Sequence, residues 1–438
     1  MKKSLLALAT LSAFAGTAYA DDGLFTLKND DTTLSLYGVL DAAYGSVNHS
    51  YGLNNTMPNQ MYSYLGQPAV NGVIPGSQTA AINGGLSDSR WGIKGSKVIA
   101  DGMKAIFNLE SGFDITNMKL NSAAGALAQN SGPGRAGTVV AADSSLNGGM
   151  FDRAAWAGVD ASWGQLTYGT QNNPMKDAIG MDDPVQSDTF SPFGESGTWG
   201  GGAGSSEQSR MHHSIKYSTK LGGGFDMSLA YQFGNDIKTN LGRTYAARVG
   251  YDNGTYGMNA SYSNTKDGVL AGTSNTFDQI SIALSDVTGY EISGHYKVTQ
   301  NGQIKAGYEH FTRKAPSDLS VPLGSIWGYG VAGGVTSNKF TPGNSQSFSA
   351  FWLGGDYNFR SDLNLAVGYY DTKQDAATNS PTSDGKVGVW SAVLKYNLTK
   401  PLDLYVAATT NKFSGNAYPA TTYAQTVTGY AVGARYKF

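Results

Sequence analysis

Cysteine is absent from the 438-residue chain, and so are long apolar runs. Without thiols there is no disulfide framework and no thiolate metal site. Stability must come from ordinary packing or from a wall embedded in lipid. After residue 20, no stretch approaches the ~20 consecutive apolar residues a membrane-spanning helix needs. Charge is scarce and nearly balanced: 15% of residues are Asp, Glu, Lys or Arg, and the formal net charge is −2. With no basic tail or patch, nucleic acid is excluded as a partner. Catalytic signatures are missing too. The histidines are His49, His212, His213, His295 and His310. They show no His-Glu-x-x-His spacing, and no Gly-x-Ser-x-Gly elbow occurs. His212 and Ser214, two residues apart on one strand face, are the nearest approach to a catalytic pair, and such a pair is common by chance in a serine-rich chain. The reading is of a non-enzyme with no cofactor and no metal.

What the chain does have is glycine and tyrosine, 58 and 26 residues respectively. It opens with "MKKSLLALATLSAFAGTAYA". Lys2 and Lys3 precede a short apolar run from Leu5 to Gly16, and Ala18-Tyr19-Ala20 follows. This is the pattern of a secretory signal peptide. Residues 1–20 are therefore expected to be removed, leaving 21–438 as one exported domain. Removing Lys2 and Lys3 leaves 29 of the 31 lysines and arginines against 33 acids, a formal charge of −4.

Period-two alternation then recurs from end to end, the mark of strands with two different faces. In "TLSLYGVLDAAYG", Leu34, Leu36, Leu40, Ala42 and Tyr44 share one face; Ser35, Tyr37, Val39 and Asp41 share the other. "FDMSLAYQFG", "TYAARVGYD" and "VWSAVLKYNL" repeat the pattern. Short turns fall near 97–102, 219–224, 252–255, 299–302, 359–362 and 399–401. Long polar segments fall near 45–87, 114–149, 172–208, 312–346, 373–385 and 411–425. Short turns at one end and long loops at the other describe a transmembrane barrel. Every backbone amide in lipid needs a partner, and a chain without a spanning helix meets that need only by closing a sheet. The fold expected is all-β: a transmembrane antiparallel β-barrel of about 16 strands, apolar outside and polar inside, with a water-filled lumen. Tyr217, Tyr231, Tyr251, Tyr296, Tyr357, Tyr396 and Tyr436 are expected to form interfacial girdles.

Several stretches resemble the general porins of Gram-negative bacteria, particularly those of β-proteobacteria and Neisseria. They are "LYGVLD" (36–41), "SRWGIKGS" (89–96), "GMKAIFNLESGF" (102–113), "FDRAAWAGV" (151–159), "GQLTYGTQ" (164–171), "SIKYS" (214–218) and the final "VGARYKF" (432–438). The resemblance implies a homotrimeric pore in the cell outer membrane for passive diffusion of small hydrophilic solutes and ions. It also implies contacts with outer-membrane lipid and lipopolysaccharide. A last strand ending in Phe438 looks like the signal read by the outer-membrane assembly machinery. The resemblance further implies a third external loop folded into the lumen, its acids facing a basic ladder on the opposite wall. Asp182, Asp183, Asp188 and Glu195 would supply the negative side of that segment. Strand parity points Arg90, Lys94, Arg153, Arg210, Lys216 and Arg248 inward, with Lys104; the resemblance implies that they make the basic cluster, and Arg90, Arg153 and Arg210 match its positions most nearly. The family usually has arginine where this chain has Thr170. Two alternatives stay open. One is a substrate-selective channel using Trp199, Trp327 and Tyr329. The other is an adhesin or receptor built on the long first segment.

Overall fold

A computed structural model describes residues 25–49, 53–54, 73–74, 77–116, 118–120, 150–151, 153–186, 190–193, 210–234, 243–271, 280–315, 345–376, 378, 384–415 and 426–438. The first strands are β1 (Phe25–Lys28), β2 (Thr32–His49), β3 (Leu53–Asn54), β4 (Val73–Ile74), β5 (Ser77–Asn83), β6 (Arg90–Ala100), β7 (Met103–Asp114), β8 (Lys119–Leu120), β9 (Ala154–Ala161) and β10 (Gly164–Asn172). A helix, α1 (Pro174–Asp182), follows. Then come β11 (Arg210–Gly222), β12 (Phe225–Gln232), β13 (Thr244–Asp252), β14 (Tyr256–Ala271), β15 (Ile280–Thr299), β16 (Gly302–Lys314), β17 (Ser345–Arg360), β18 (Leu363–Gln374), β19 (Gly385–Thr399), β20 (Leu402–Gly415) and β21 (Thr426–Lys437). Among the described residues, no helix is long and apolar enough to cross a membrane, which says nothing of crossing by strands.

The strands form one closed antiparallel barrel of sixteen staves: β2, β5 continued by β6, β7, and β9 through β21. Closure comes where β2 pairs with β21, from Val39 opposite Lys437 to His49 opposite Val427. Below that point Phe438 and Gly38 exchange backbone hydrogen bonds of 2.7 and 3.0 Å. The short β1 then continues the same edge, Phe25 opposite Leu36. β1 and β21 thus lie end to end along one edge of β2.

Turns of two or three residues join the strands near 101, 223, 254, 300, 361 and 400, as the sequence predicts, and a further one joins β9 to β10 at 162–163. The long first segment is shorter than expected. β2 runs on to His49, and β5 takes residues 77–83 back into the sheet.

Cross-strand partners share a face, so the register sorts side chains. Val432 and Trp390 are more than half exposed on the outside, whereas Ser391 and Asp403, on the inside, are at most 2% exposed. Hydroxyl pairs line much of the inner face, such as Ser218 with Ser228 at 3.1 Å and Thr244 with Thr265 at 3.0 Å. One arc departs from the expected polar lumen. On β17–β20, Ala350, Trp352, Ala366, Tyr370, Val387, Val389 and Val393 are apolar and buried. The reason is steric cover: Met175, Ile179, Val185, Phe190 and Phe193 from the segment after β10 belong to the same apolar cluster.

Gly38 is where the closing stave needs a missing side chain. A Cβ there would lie 2.5 Å from the Phe438 ring and 2.6 Å from the Arg90 carbonyl oxygen. Gly38→Val is therefore expected to cost about 1–3 kcal/mol by overpacking. The measurement is the folded fraction, read as the heat-modifiable band on a gel after refolding in detergent. It should fall, and Gly222→Val, at a site with open space around it but positive φ, serves as the strained-backbone comparison.

Candidate functional site

The segment after β10 is fixed to the inner wall from its first residue. Asn173 caps α1, its Oδ1 accepting from the Met175 N–H at 2.9 Å, and Pro174 begins the helix with φ already set. The Asn173 Nδ2 donates to Ser263 Oγ on β14 at 3.2 Å. At the other end Asp182 is fully buried. Its Oδ2 accepts from Asn259 Nδ2 at 2.6 Å and from Ser293 Oγ at 2.7 Å. Its Oδ1 meets His295 Nδ1 at 2.7 Å. Its carbonyl oxygen accepts from the Trp352 indole N–H at 3.0 Å.

Asp183 is also fully buried, and its carboxylate accepts from the Tyr370 hydroxyl. Its carbonyl takes Lys305 Nζ at 3.1 Å. Further along, Phe193 stands edge-on to Trp352 with centroids 4.9 Å apart. The Ser391 hydroxyl donates to the Phe190 carbonyl. Asp182 and Asp183 are therefore taken up by the wall rather than presented to the lumen. Asp188 and Glu195 lie outside the described residues, as do Trp199, Trp327 and Tyr329.

The cations gather elsewhere. α1 lies against β12–β16; β6, β7 and β9 lie on another part of the wall, with β10 and β11 between. There Arg153 Nε donates to Glu110 Oε1 at 2.7 Å and its Nη1 to Asp88 Oδ2 at 2.9 Å. Arg90 is 3.8 Å from the same Glu110 and donates to the Asp88 carbonyl at 3.0 Å. Tyr37 donates to Asn108 and Glu110, and the Lys94 ammonium sits 5.2 Å above the Tyr37 ring. Arg90, Arg153 and Lys94 thus form one cluster.

The other predicted cations stand apart from it. Lys216 pairs with Asp177 of α1 at 2.7 Å. Arg248 pairs with Asp226 at 2.5 Å and reaches Asn259 and the Met181 sulfur. Arg210, buried at the start of β11, stands opposite Asn172. Lys104 stands opposite Asp160 near a turn. Thr170 meets His212 Nδ1 at 2.8 Å beside a register shift. The Ser214 hydroxyl donates to Gly169 instead, so His212 and Ser214 serve different partners.

Sequence reasoning missed the partners of these cations: Asp88, Glu110, Asp177 and Asp226. It put Arg435 and Lys437 of β21 on the lumenal face but not their partner: both reach Asp403 Oδ2 at 2.8 Å. The signal for Glu110 was available, since its parity puts it on the inner face of β7 one turn away from Arg90. Among the described residues, no group of three or more acids or histidines could hold a metal.

A family model described as Gram-negative porin matches residues 7–416. An outer membrane porin protein of Bordetella pertussis is 30% identical over 242 residues, 54% of this chain and 50% of its own length. Outer membrane porin protein 32 of Delftia acidovorans is 24% identical over 265 residues, 58% and 57% of the two chains. The chain thus spans about half the length of the curated relatives it matches. The solved anion-selective porin from Comamonas acidovorans gives a TM-score of 0.62 at 15% identity, covering 93% of this chain and 100% of that one. OmpT of Vibrio cholerae in its trimer form gives 0.55 at 15% identity, with 93% and 100% coverage. At such identities the likeness is one of fold.

The aromatic anchor sets the grip of the inner segment. Phe193→Ala is expected to weaken its docking by about 3 kcal/mol. Amide hydrogen exchange over residues 174–186 should then speed up on the order of a hundredfold, with the barrel strands unchanged.

Proposed function

The chain belongs to the Gram-negative porin family, and on that premise we propose that it forms a water-filled outer-membrane pore for passive diffusion of small hydrophilic solutes and ions. The observation that carries this is the sixteen-stave closure around an inner wall of hydroxyls, amides and paired charges. Sixteen strands enclose an aqueous channel. The segment after β10 acts as the constriction element, and the Arg90, Lys94 and Arg153 group forms the opposing side. A pore selects by its narrowest diameter and by the charges around it. Paired charges along the wall orient water and dipolar solutes, and no tight binding site is needed.

Homotrimerisation fits this reading and is supported by the trimer form of a structurally similar outer membrane protein. Lipid and lipopolysaccharide surround the outer face, with Phe438 as the assembly signal. The relatives are porins, not enzymes.

Ion preference in this reading is weak. Arg90 and Arg153 are answered by Glu110 and Asp88, Lys216 by Asp177, and Arg248 by Asp226. Lys94 differs, resting on the face of Tyr37. Single-channel recording in a planar bilayer tests the proposal. Ohmic steps in groups of three, with a small reversal potential under a salt gradient, are expected. Folded, heat-modifiable protein that passes no current overturns it.

Lys94→Gln is expected to move the reversal potential toward cations. It forfeits only about 0.5–1 kcal/mol of cation–π contact, so folding should be intact.

A further inference from the structure

β5 and β6 form one stave, yet the six residues between them, Gly84–Ser89, leave the ladder. On β2 the register passes from Ala42 opposite Asn83 to Val39 opposite Arg90. The excursion is wrapped around Asp41, which is fully buried. Asp41 Oδ1 accepts from the Gly85 N–H at 3.1 Å and the Tyr405 hydroxyl at 2.5 Å. Its Oδ2 accepts from the Leu86 and Ser87 N–H groups at 3.0 and 2.9 Å. Its main chain completes the hold: the carbonyl accepts from Gly84 N–H at 3.0 Å, and the amide donates to Ser89 Oγ at 3.0 Å. Every backbone amide from 84 to 87 is thereby turned onto one aspartate. Gly85 has no room for a side chain, since a Cβ would lie 2.1 Å from the Tyr405 oxygen and 2.8 Å from Ala43 Cβ. Leu86 is buried in the apolar cluster beneath the inner segment.

Two residues on in this excursion is Asp88. Its carboxylate takes Arg153 at 2.9 Å, its carbonyl takes Arg90 at 3.0 Å, and its side chain is 22% exposed. The grip of Asp41 and the charge on the basic cluster are thus two ends of one short segment.

We propose that Asp41, with Tyr405, is a positioning residue for ion selectivity. It holds Gly84–Ser89 on the inner wall so that Asp88 stays on Arg153 and Arg90, lowering the positive field on that side of the pore. Without the grip, Asp88 leaves, and Arg153 and Arg90 lose the carboxylate and the carbonyl that it gives them. The inference rests on the pore reading given above.

The grip is tested with substitutions that leave net charge untouched, because Asp41→Asn alters the wall charge directly, and Asp88→Asn serves as the charge reference. Gly85→Val pushes on Tyr405 and Ala43; Tyr405→Phe removes one hydrogen bond and no bulk. Reversal potentials are measured for the full-length protein under a potassium chloride gradient. Asp88→Asn should raise the anion-to-cation permeability ratio. Gly85→Val should raise it by the same factor, and Tyr405→Phe by a smaller one. Gly85→Val combined with Asp88→Asn should match Asp88→Asn alone, since the first acts only through the second. The proposal is overturned if Asp88→Asn leaves ion preference at the wild-type value. It is equally overturned if the neutral variants conduct with wild-type preference while Asp88→Asn shifts it, or if the two effects add. If Gly85→Val does not fold, Tyr405→Phe alone decides, read singly and with Asp88→Asn. Wild-type protein that passes no current counts against the pore itself, a result distinct from all of these.

Discussion

A backbone amide facing hydrocarbon has no water to fall back on, and this constraint governs the whole wall. The chain meets it by sealing β2 to β21 and by letting β1 continue the edge where Phe438 stops. Every other feature hangs on that seam. The staves fix which residues point inward, the inward set decides where charge stands, and the staves also give the inner segment a surface to lie on. Gly38 shows how tight the seam is, since its missing side chain makes room for the last ring of the chain.

Inside the seam the molecule carries a second, unlike piece of structure. Barrel lumens are polar because they are wet, but β17–β20 present Trp352, Tyr370 and a run of valines inward. They do so because a capped helix and an aromatic tip cover them. The cover is held by buried polar links as well as apolar contact: Asp182 to His295, Asn259 and Ser293, and Asp183 to Tyr370. Apolar packing supplies the bulk of the attraction, and the carboxylates set the register of helix against wall. A polar group so placed is costly to move, because leaving its partners exposes buried donors as well.

The barrel was largely legible in the sequence. Alternation at period two survives because each residue meets either lipid or lumen, so parity alone put Asp41, Arg248 and Ser391 on the inner face. Turn positions were legible for a similar reason, since glycine and polar residues cluster where the chain reverses. The inner segment was expected from the family resemblance and not from its own residue pattern. α1 spans only Pro174–Asp182, too short for helical periodicity to stand out, although "NNP" is a helix-start signal. The apolar arc left a trace too: "FSAFWLGG" on β17 is apolar on both faces, as a strand covered on both sides must be. Ion pairing was the least legible layer. Arg90 and Glu110 are placed by parity, but their meeting depends on a register fixed by the 101–102 turn, and Asp88 reaches Arg153 only because the stave is broken at 84–89.

The seam has a further meaning for how the chain comes to be folded. Gly38 and Phe438 touch, so the contact that closes the barrel joins residues some 400 positions apart. Bringing such distant ends together in one event carries a loop-closure entropy of about 5 kcal/mol. The intervening staves spread that cost, because each hairpin after β9 adds to an edge already formed and the ends approach as the sheet curls. Contact order is therefore low for nearly every step and very high for one. Until that step, the growing sheet shows two unpaired edges, each a template for another strand. A chain missing its final stave is therefore an open sheet prone to edge-to-edge association, and no smaller barrel is implied.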